Sequence, residues 1–220
     1  MKNILIVCLL LTGLSLASPS SIGTNGLVNM PTAMSIKYKE FDLAANWRVV
    51  QNTSDGSRYQ LNYISNLGIF DGVEAGFIGN NQKEGVFPHI KFYMMSDKTA
   101  YPLALAAGLT NLSSHSRSDL YLVMSKKFPN NFFGHFGFTS NIIASSIKAN
   151  IMFGIEASLS PYMSIIGDLI GSESTWNLST GFRLKLSEDF LLNAYLEDIA
   201  SSTVDKATFT LGLSWHGLFQ

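Results

Sequence analysis

The stretch Arg58-Tyr-Gln-Leu-Asn-Tyr-Ile-Ser-Asn-Leu67 decides the fold class of this chain. Apolar residues such as Tyr59, Leu61 and Tyr63 occupy its odd positions, while its even positions are mostly polar. An alternation with a period of two is typical of a β-strand that has one apolar and one polar face. A tilted strand of about ten residues is long enough to cross a bilayer. The stretch therefore predicts a membrane-spanning strand.

Blocks of the same kind follow one another from Phe41 to the C-terminus, with turn residues between them. We therefore predict an all-β fold, a transmembrane antiparallel up-and-down β-barrel of about twelve strands, within a range of roughly ten to fourteen. The predicted strands are 41–50, 58–67, 72–79, 86–95, 101–110, 118–127, 132–140, 149–159, 162–170, 175–185, 189–198 and 207–219.

The composition favours a membrane barrel over a soluble domain. Charged residues make up 14% of the chain and the mean hydropathy is +0.18, whereas about a quarter of the residues of a soluble domain are charged. After residue 17, no stretch has the roughly 18 to 20 continuous apolar residues that a membrane helix needs. A secreted soluble β-sandwich or small barrel, which buries its apolar faces internally, remains as an alternative.

The N-terminus predicts export. A positive start at Lys2, an apolar run from Ile4 to Leu16 and a small residue at Ala17 are typical of a secretory signal peptide. Cleavage after Ala17 removes Cys8, the only cysteine, so the mature chain has neither disulfides nor thiol chemistry. Without Lys2 the fifteen basic residues become fourteen, against sixteen acidic ones, a net charge of −2. That near balance indicates no nucleic-acid partner.

The sequence thus divides into three regions. Residues 1–17 form the signal peptide, residues 18–40 an N-terminal lead-in that is either periplasmic or lumenal, and residues 41–220 the barrel. The lead-in is irregular and rich in small residues, and Pro31 favours an extended backbone at the residue before it. The sequence leaves open whether water or the lead-in fills the barrel.

Predicted tight and longer connections tend to alternate, as they do when the short turns of a barrel face the periplasm. With an even number of strands, both termini lie on the short-turn side. Aromatic residues then fall at one level and predict a girdle at the membrane interface. Its members are Phe41, Tyr101, Phe132, Tyr162, Phe190 and Phe219.

The apolar face of each predicted strand should contact lipid, so the polar face should line an enclosed lumen. A charge that faces lipid at mid-depth costs about 2–4 kcal/mol, which favours placing the charged residues inside. Both signs of charge occur, so ion pairs across the lumen are expected rather than strong ion selectivity. The predicted lumen-facing residues are Arg48, Arg58, Asn62, Glu74, Lys91, His135, Glu156, Asp168, Arg183 and Glu197.

The chain carries no phosphate-binding glycine loop, no His-Glu-x-x-His pair and no Gly-x-Ser-x-Gly motif. Its four histidines are scattered without metal-ligand spacing, so neither a metal nor a cofactor is predicted. An outer-membrane enzyme acting on lipid or peptide is the alternative, since His135 could act with Thr139 or Ser140, or His89 with Asp119. Polar residues that merely fill the lumen explain the same pattern, and no catalytic residue is assigned.

Several short motifs resemble a known family. Gly26-Leu-Val-Asn-Met-Pro-Thr-Ala33 resembles the Gly-Leu-Ile-x-x-Pro-Thr-Ala opening of the YjbH-type outer-membrane proteins linked to exopolysaccharide operons. Phe153–Glu156 with the following 159–168 is similar to a strand–turn–strand segment of that family, and Leu120–Phe128 is similar to a further stretch. The chain departs from the family at residues 167–171, where the Glu and Tyr of the family are missing. The resemblance covers about a third of the chain and implies a single-barrel relative, located in the outer membrane and involved in polysaccharide export or surface assembly.

We therefore predict a non-enzymatic outer-membrane barrel of a Gram-negative-type bacterium, with a structural role or a role in the passage of envelope polysaccharide or small solutes. Its expected partners are outer-membrane lipid, the barrel-insertion machinery and polysaccharide-export components. The last strand, which ends with the aromatic Phe219 one residue before the terminus, resembles the insertion signal of bacterial outer-membrane barrels.

Overall fold

The computed structural model describes residues 18–52, 56–81, 85–95, 103–114, 117–143, 149–172, 175–200 and 207–219, with side chains described except at 50–52 and 56–58. The predicted signal peptide and the girdle residue Tyr101 lie outside these ranges. Within them, no helix is long and apolar enough to cross a membrane.

The described residues form twelve β-strands. They are β1 (Glu40–Asn52), β2 (Gly56–Phe70), β3 (Val73–Asn80), β4 (Val86–Met95), β5 (Ala104–Thr110), β6 (Asp119–Phe128), β7 (Phe132–Asn141), β8 (Ala149–Ser160), β9 (Met163–Ser172), β10 (Thr175–Lys185), β11 (Phe190–Glu197) and β12 (Thr208–Leu218). Each strand pairs antiparallel with its neighbours in sequence, and β1 pairs with β12 from Glu40 opposite Leu218 to Val50 opposite Thr208. The predicted closed antiparallel barrel of about twelve strands is confirmed.

The prediction was wrong at the end of β2, where a turn was expected at residues 68–71. The strand continues to Phe70, and the turn is Asp71–Gly72, with Gly72 at a φ of 79°. The Gly68 carbonyl accepts a hydrogen bond of 2.9 Å from Lys39 N. A Cβ at Gly68 would overlap the carbonyl oxygen of Lys37, so this glycine lets a second chain segment pass close to the strand.

The two faces of the sheet differ as the alternation predicts. Large apolar side chains such as Leu61, Phe77 and Phe153 point away from the barrel and are about half exposed, at 44%, 55% and 44%. Such side chains recur on every side of the barrel, and a contiguous apolar surface of this kind needs a hydrophobic surrounding. The barrel is therefore a transmembrane barrel, and the soluble-sandwich alternative is wrong.

The two ends of the barrel also differ. We call the end at which β1 begins the turn end, because it carries the short connections 71–72, 129–131 and 161–162. The opposite end, called the loop end, carries the longer connections 111–118 and 198–207.

The described members of the predicted girdle all lie at the turn end. Phe132 and Phe190 begin strands, and Phe41 is the second residue of β1. Tyr162 lies in the turn between β8 and β9, and Phe219 directly follows β12. The rings of Phe41 and Phe219 have centroids 4.8 Å apart across the closure of the barrel.

Candidate functional site

Residues 18–36 lie inside the barrel, and we call this segment the plug. Its side chains Leu27, Val28 and Met30 have no exposed surface. The plug makes hydrogen bonds with side chains of β2, β3, β4, β6, β9 and β10. A segment bonded to strands on opposite sides of a closed barrel must occupy its interior. The lead-in that the sequence placed in either the periplasm or the lumen is thus in the lumen over residues 18–36.

The plug folds into tight turns. Single β-bridges join Pro19 to Asn25 and Gly26 to Pro31. Gly26 lies where the two sides of the second turn come closest, and a Cβ there would overlap the Met30 carbonyl oxygen. Such short turns satisfy only part of the backbone, so the remaining amides and carbonyls need partners on the wall.

One wall of the lumen clamps the plug with a buried ion pair. Glu74 on β3 and Lys91 on β4 are paired in register, 3.3 Å apart, and both side chains are fully buried. The Glu74 carboxylate accepts hydrogen bonds of 3.0 Å from both the backbone N and the Nδ2 of Asn25. Lys91 Nζ donates to the carbonyls of Asn25, at 2.9 Å, and Met34, at 2.7 Å. A pair desolvated to this degree is stable only when its other bonding positions are filled, and the plug fills them.

The opposite wall holds the plug with another acidic and another basic side chain. Asp168 Oδ2 on β9 accepts hydrogen bonds from the backbone N of Asn29, at 2.6 Å, and of Met30, at 3.0 Å. Arg183 on β10 donates from Nη2 to the carbonyls of Gly26 and Leu27. Charge-assisted bonds of this kind are the stronger hydrogen bonds in proteins.

Two buried histidines contact the side chains that make further hydrogen bonds to the plug. His135 Nδ1 is 2.7 Å from the Oγ of Ser125, and that oxygen also accepts a hydrogen bond of 2.9 Å from Ala33 N. His89 Nε2 is 2.6 Å from the Oδ1 of Asn66. The Nδ2 of the same asparagine donates to the Gly23 carbonyl at 2.9 Å.

Apolar patches on the wall receive the apolar side chains of the plug. Met30 and Ala33 pack in a buried cluster with wall residues of β5, β6 and β8, among them Val123 and Met152. Leu27 and Val28 pack against a second patch; its wall residues are Ile166 and Tyr195. The lumen wall is therefore mixed, with apolar patches between charged anchors.

Gly154 on β8 makes room for the plug. It faces the lumen, and a Cβ there would overlap Cδ1 of Leu27 and lie 2.9 Å from the Met30 sulfur. The absence of a side chain at this wall position thus leaves the space that Leu27 and Met30 occupy.

The loop end of the lumen contains a polar cavity of about 290 Å³. Ser21 and Asn29 of the plug contribute to its lining, together with Arg48 and Glu197 of the wall. The two wall side chains form an ion pair of 3.2 Å, and Thr210 Oγ1 donates to Glu197 at 2.6 Å. The cavity has room for several water molecules.

The remaining predicted lumen residues are placed as follows. Asn62 and Glu156 are buried, 7% and 5% exposed, and Glu156 has polar contacts. The side chain of Arg58 lies outside the described residues.

Five of the predicted residues thus contact the plug or a group that binds it, and Arg48 pairs with Glu197 nearer the loop end. They are Glu74, Lys91, His135, Asp168 and Arg183.

Sequence reasoning missed the uncharged side chains that bind the plug. Besides Ser125 and Asn66, Ser179 Oγ accepts a hydrogen bond of 3.0 Å from Asn29 Nδ2. A usable signal was present in the lead-in itself. A segment that carries apolar residues such as Leu27 and Met30 needs apolar partners inside the barrel. Inward residues of β6 supply them for Met30, and Ile166 and Tyr195 supply them for Leu27.

The structure does not assemble the enzyme candidates. His135 bonds to Ser125, while Ser140 lies on the opposite face of β7 from His135. His89 bonds to Asn66, so neither histidine is paired with the residue proposed for it. Within the described ranges, no group of three or more His, Cys, Asp or Glu side chains is placed to hold a metal ion.

No protein-family model matches the sequence, and no curated protein matches it. The resemblance to the YjbH-type family therefore stays a prediction.

Solved structures share the fold. The KdgM porin matches with a TM-score of 0.53 and 8% identity over 80% of this chain and 98% of that chain. The NanC porin matches with a TM-score of 0.56 and 10% identity, again over 80% and 98%. The outer membrane protein Omp33 of Acinetobacter baumannii matches with a TM-score of 0.52 and 9% identity over 81% and 98%. At such identities the likeness is one of fold, the fold of porin-type outer-membrane barrels.

Proposed function

We propose that this chain is a non-enzymatic channel of the outer membrane, in which the plug closes the lumen. The observation that carries the proposal is the binding of one segment to charged side chains on opposite walls, Glu74 and Lys91 on one side and Asp168 and Arg183 on the other. Passage of a solute through this part of the lumen then requires that the plug moves. The predicted signal peptide and the apolar outer face support export to the outer membrane, with lipid and the barrel-insertion machinery as partners.

The solutes we propose are small and polar. The polar cavity at the loop end gives them an entrance, and its charges of both signs do not favour one ionic species. One of the solved structures with a similar fold is described as the KdgM porin in complex with disordered oligogalacturonate. Here Lys91 and Arg183, two basic side chains of the lumen, already bind plug carbonyls, which does not favour recruitment of an acidic sugar.

Electrical recording with a reversible lock tests the closed lumen. Asp168→Asn weakens an anchor that accepts two backbone hydrogen bonds, and we expect it to raise the open probability in planar bilayers. In the same background, Ala33→Cys is combined with Ser125→Cys, because the Ser125 hydroxyl now lies 2.9 Å from the backbone N of residue 33 and the two thiols would therefore be close enough to be joined. Oxidation should close the channel, and a reducing agent should open it again.

The matched control carries Ser125→Cys alone with Asp168→Asn, and oxidation should leave its currents unchanged. Thiol titration establishes that the lock has formed. Full conductance in the locked, oxidised protein contradicts closure by the plug, and silence of every variant at all voltages rejects a channel.

A second candidate function is the export of envelope polysaccharide. It rests on the motif Gly26–Ala33, whose backbone is the part of the plug bound by Asp168 and Arg183. Deletion of the gene should then lower the polysaccharide released from the cell while small-solute uptake stays normal. An unchanged polysaccharide content excludes this role without affecting the first proposal.

A further inference from the structure

Two outward-facing glycines, Gly134 on β7 and Gly167 on β9, are not required by the fold. A Cβ at Gly167 would meet no atom closer than 3.4 Å, and one at Gly134 would have a single close neighbour, Cε2 of Phe128, at 3.0 Å. Neither glycine has a positive φ. By contrast, a Cβ at the inward-facing Gly76 would overlap the Ser65 carbonyl oxygen of the neighbouring strand β2. Glycine weakens a strand interior and marks a bulge, a bend or the close approach of a ligand or another backbone. The strand pairing is regular at both glycines, which leaves a close approach as the explanation.

The two glycines lie in one row across five strands. Reading the pairing from β6 to β10, the row is Lys126, Gly134, Ile155, Gly167 and Thr180. The neighbouring row toward the loop end is bulky throughout; it consists of Met124, Phe136, Phe153, Leu169 and Leu178.

The row forms the floor of an apolar groove on the outer face, with a volume of about 760 Å³. Four spacings between strands give it a length of about 19 Å. One leaflet contributes half of a hydrocarbon core of about 30 Å, so an inclined groove of this length accommodates an acyl chain of one leaflet.

A cation stands at the turn end of the groove. Lys126 faces outward two residues before the end of β6, and its Nζ lies 5.3 Å from the centroid of the Phe128 ring. Among the described residues, no carboxylate forms an ion pair with it. A lysine in an apolar band extends its ammonium group to the interface, where it can meet an anionic group.

We propose that this groove binds a glycerophospholipid with an anionic headgroup, with one acyl chain over Gly134 and Gly167 and the phosphate at Lys126. The apolar trough and the cation at its end match the two halves of such a molecule. A second copy of the chain fits less well, because the convex outer face of a barrel does not fill a trough. The lipid lies on the outer face and is independent of the proposed channel.

Lipid retention by the full-length protein tests the proposal. The protein is reconstituted in vesicles of equal parts phosphatidylglycerol and phosphatidylcholine, extracted in mild detergent, and examined by native mass spectrometry. Wild-type protein should retain phosphatidylglycerol in excess. Lys126→Gln should lower that excess about fivefold, the effect of one lysine near an anionic surface, and Gly167→Leu should lower retention of both lipids by filling the groove.

Lys127→Gln is the matched control, since this lysine points to the other face of the strand and lies over the Phe133 ring. It should leave lipid retention unchanged. Heat-dependent migration on gels shows that each variant has folded. Equal retention in wild type, Lys126→Gln and Gly167→Leu overturns the proposal. So does a chemically cross-linked dimer that Gly167→Leu abolishes while lipid retention stays the same, because the groove would then hold a second copy.

Discussion

Neighbouring residues of β9 lie in two different environments, the lumen and the lipid-facing surface of the barrel. Asp168 points inward and holds two backbone amides of the plug, whereas Leu169 beside it points outward into the apolar band. The same contrast separates Gly154, shaped around Leu27, from the open position at Gly167. Inside, stability depends on particular partners at particular distances. Outside, it depends on apolarity alone, so many apolar side chains serve equally well.

This difference predicts where single substitutions are costly. Removing one partner of a buried ion pair is far more destabilising than removing both, because the remaining charge is neither paired nor solvated. An outward apolar side chain can change its shape with little effect, but it cannot become charged at mid-depth.

Lys91→Met should have the largest effect. It leaves the Glu74 carboxylate buried without a counter-charge and frees the carbonyls of Asn25 and Met34. We expect a loss of about 3–5 kcal/mol in the free energy of unfolding. Urea titration of the folded, fast-migrating gel band measures this loss.

The double variant Glu74→Gln with Lys91→Met removes both charges and should recover a large part of the loss. Lys127→Met, at an exposed rim position, is the control for loss of a lysine and should be nearly neutral. Equal losses in the single and double variants would mean that the two charges do not depend on each other.

Phe153→Lys should rank second. Phe153 is 44% exposed near the middle of β8 on the outer face. A lysine facing lipid at mid-depth costs about 2–4 kcal/mol, and this cost disappears near the interfaces. The measurement is the urea midpoint in vesicles, with Phe153→Leu as the control that keeps the site apolar. A neutral Phe153→Lys variant would contradict a lipid-facing position.

The sequence was sufficient for the strands because lipid on one side and an enclosed interior on the other impose a strict alternation. β4 and β10 have the predicted bounds, 86–95 and 175–185. The end of β2 was not predictable, because the glycine at position 68 marks a close passage of residues 37–38 instead of a turn. A glycine is needed at position 68 because of a segment thirty residues earlier in the chain. The local sequence pattern around residue 68 carries no information about that contact.

The plug was only partly predictable. Charged residues such as Glu74, Lys91 and Asp168 could be assigned to the interior because lipid excludes them. Their partners could not be assigned, since they are backbone atoms of an irregular segment and carry no sequence signature. Inward apolar residues, such as Val123 and Ile166, break the polar face of their strands because they pack against the plug.

The smallest effect comes from substituting two glycines on adjacent strands with valine. Gly154→Val forces the side chain of Leu27 to move and should cost about 1–3 kcal/mol, the usual effect of overpacking. Gly167→Val adds a β-branched residue at an open outward position and should raise stability by up to about 1 kcal/mol. In a Leu27→Ala background, Gly154→Val should cost much less than it does in the wild-type protein, because the closest overlap is with the Leu27 side chain. If both valine variants lost equal stability in urea titrations, the inner and outer faces of the barrel would have the same packing constraints, and the contrast between them would be wrong.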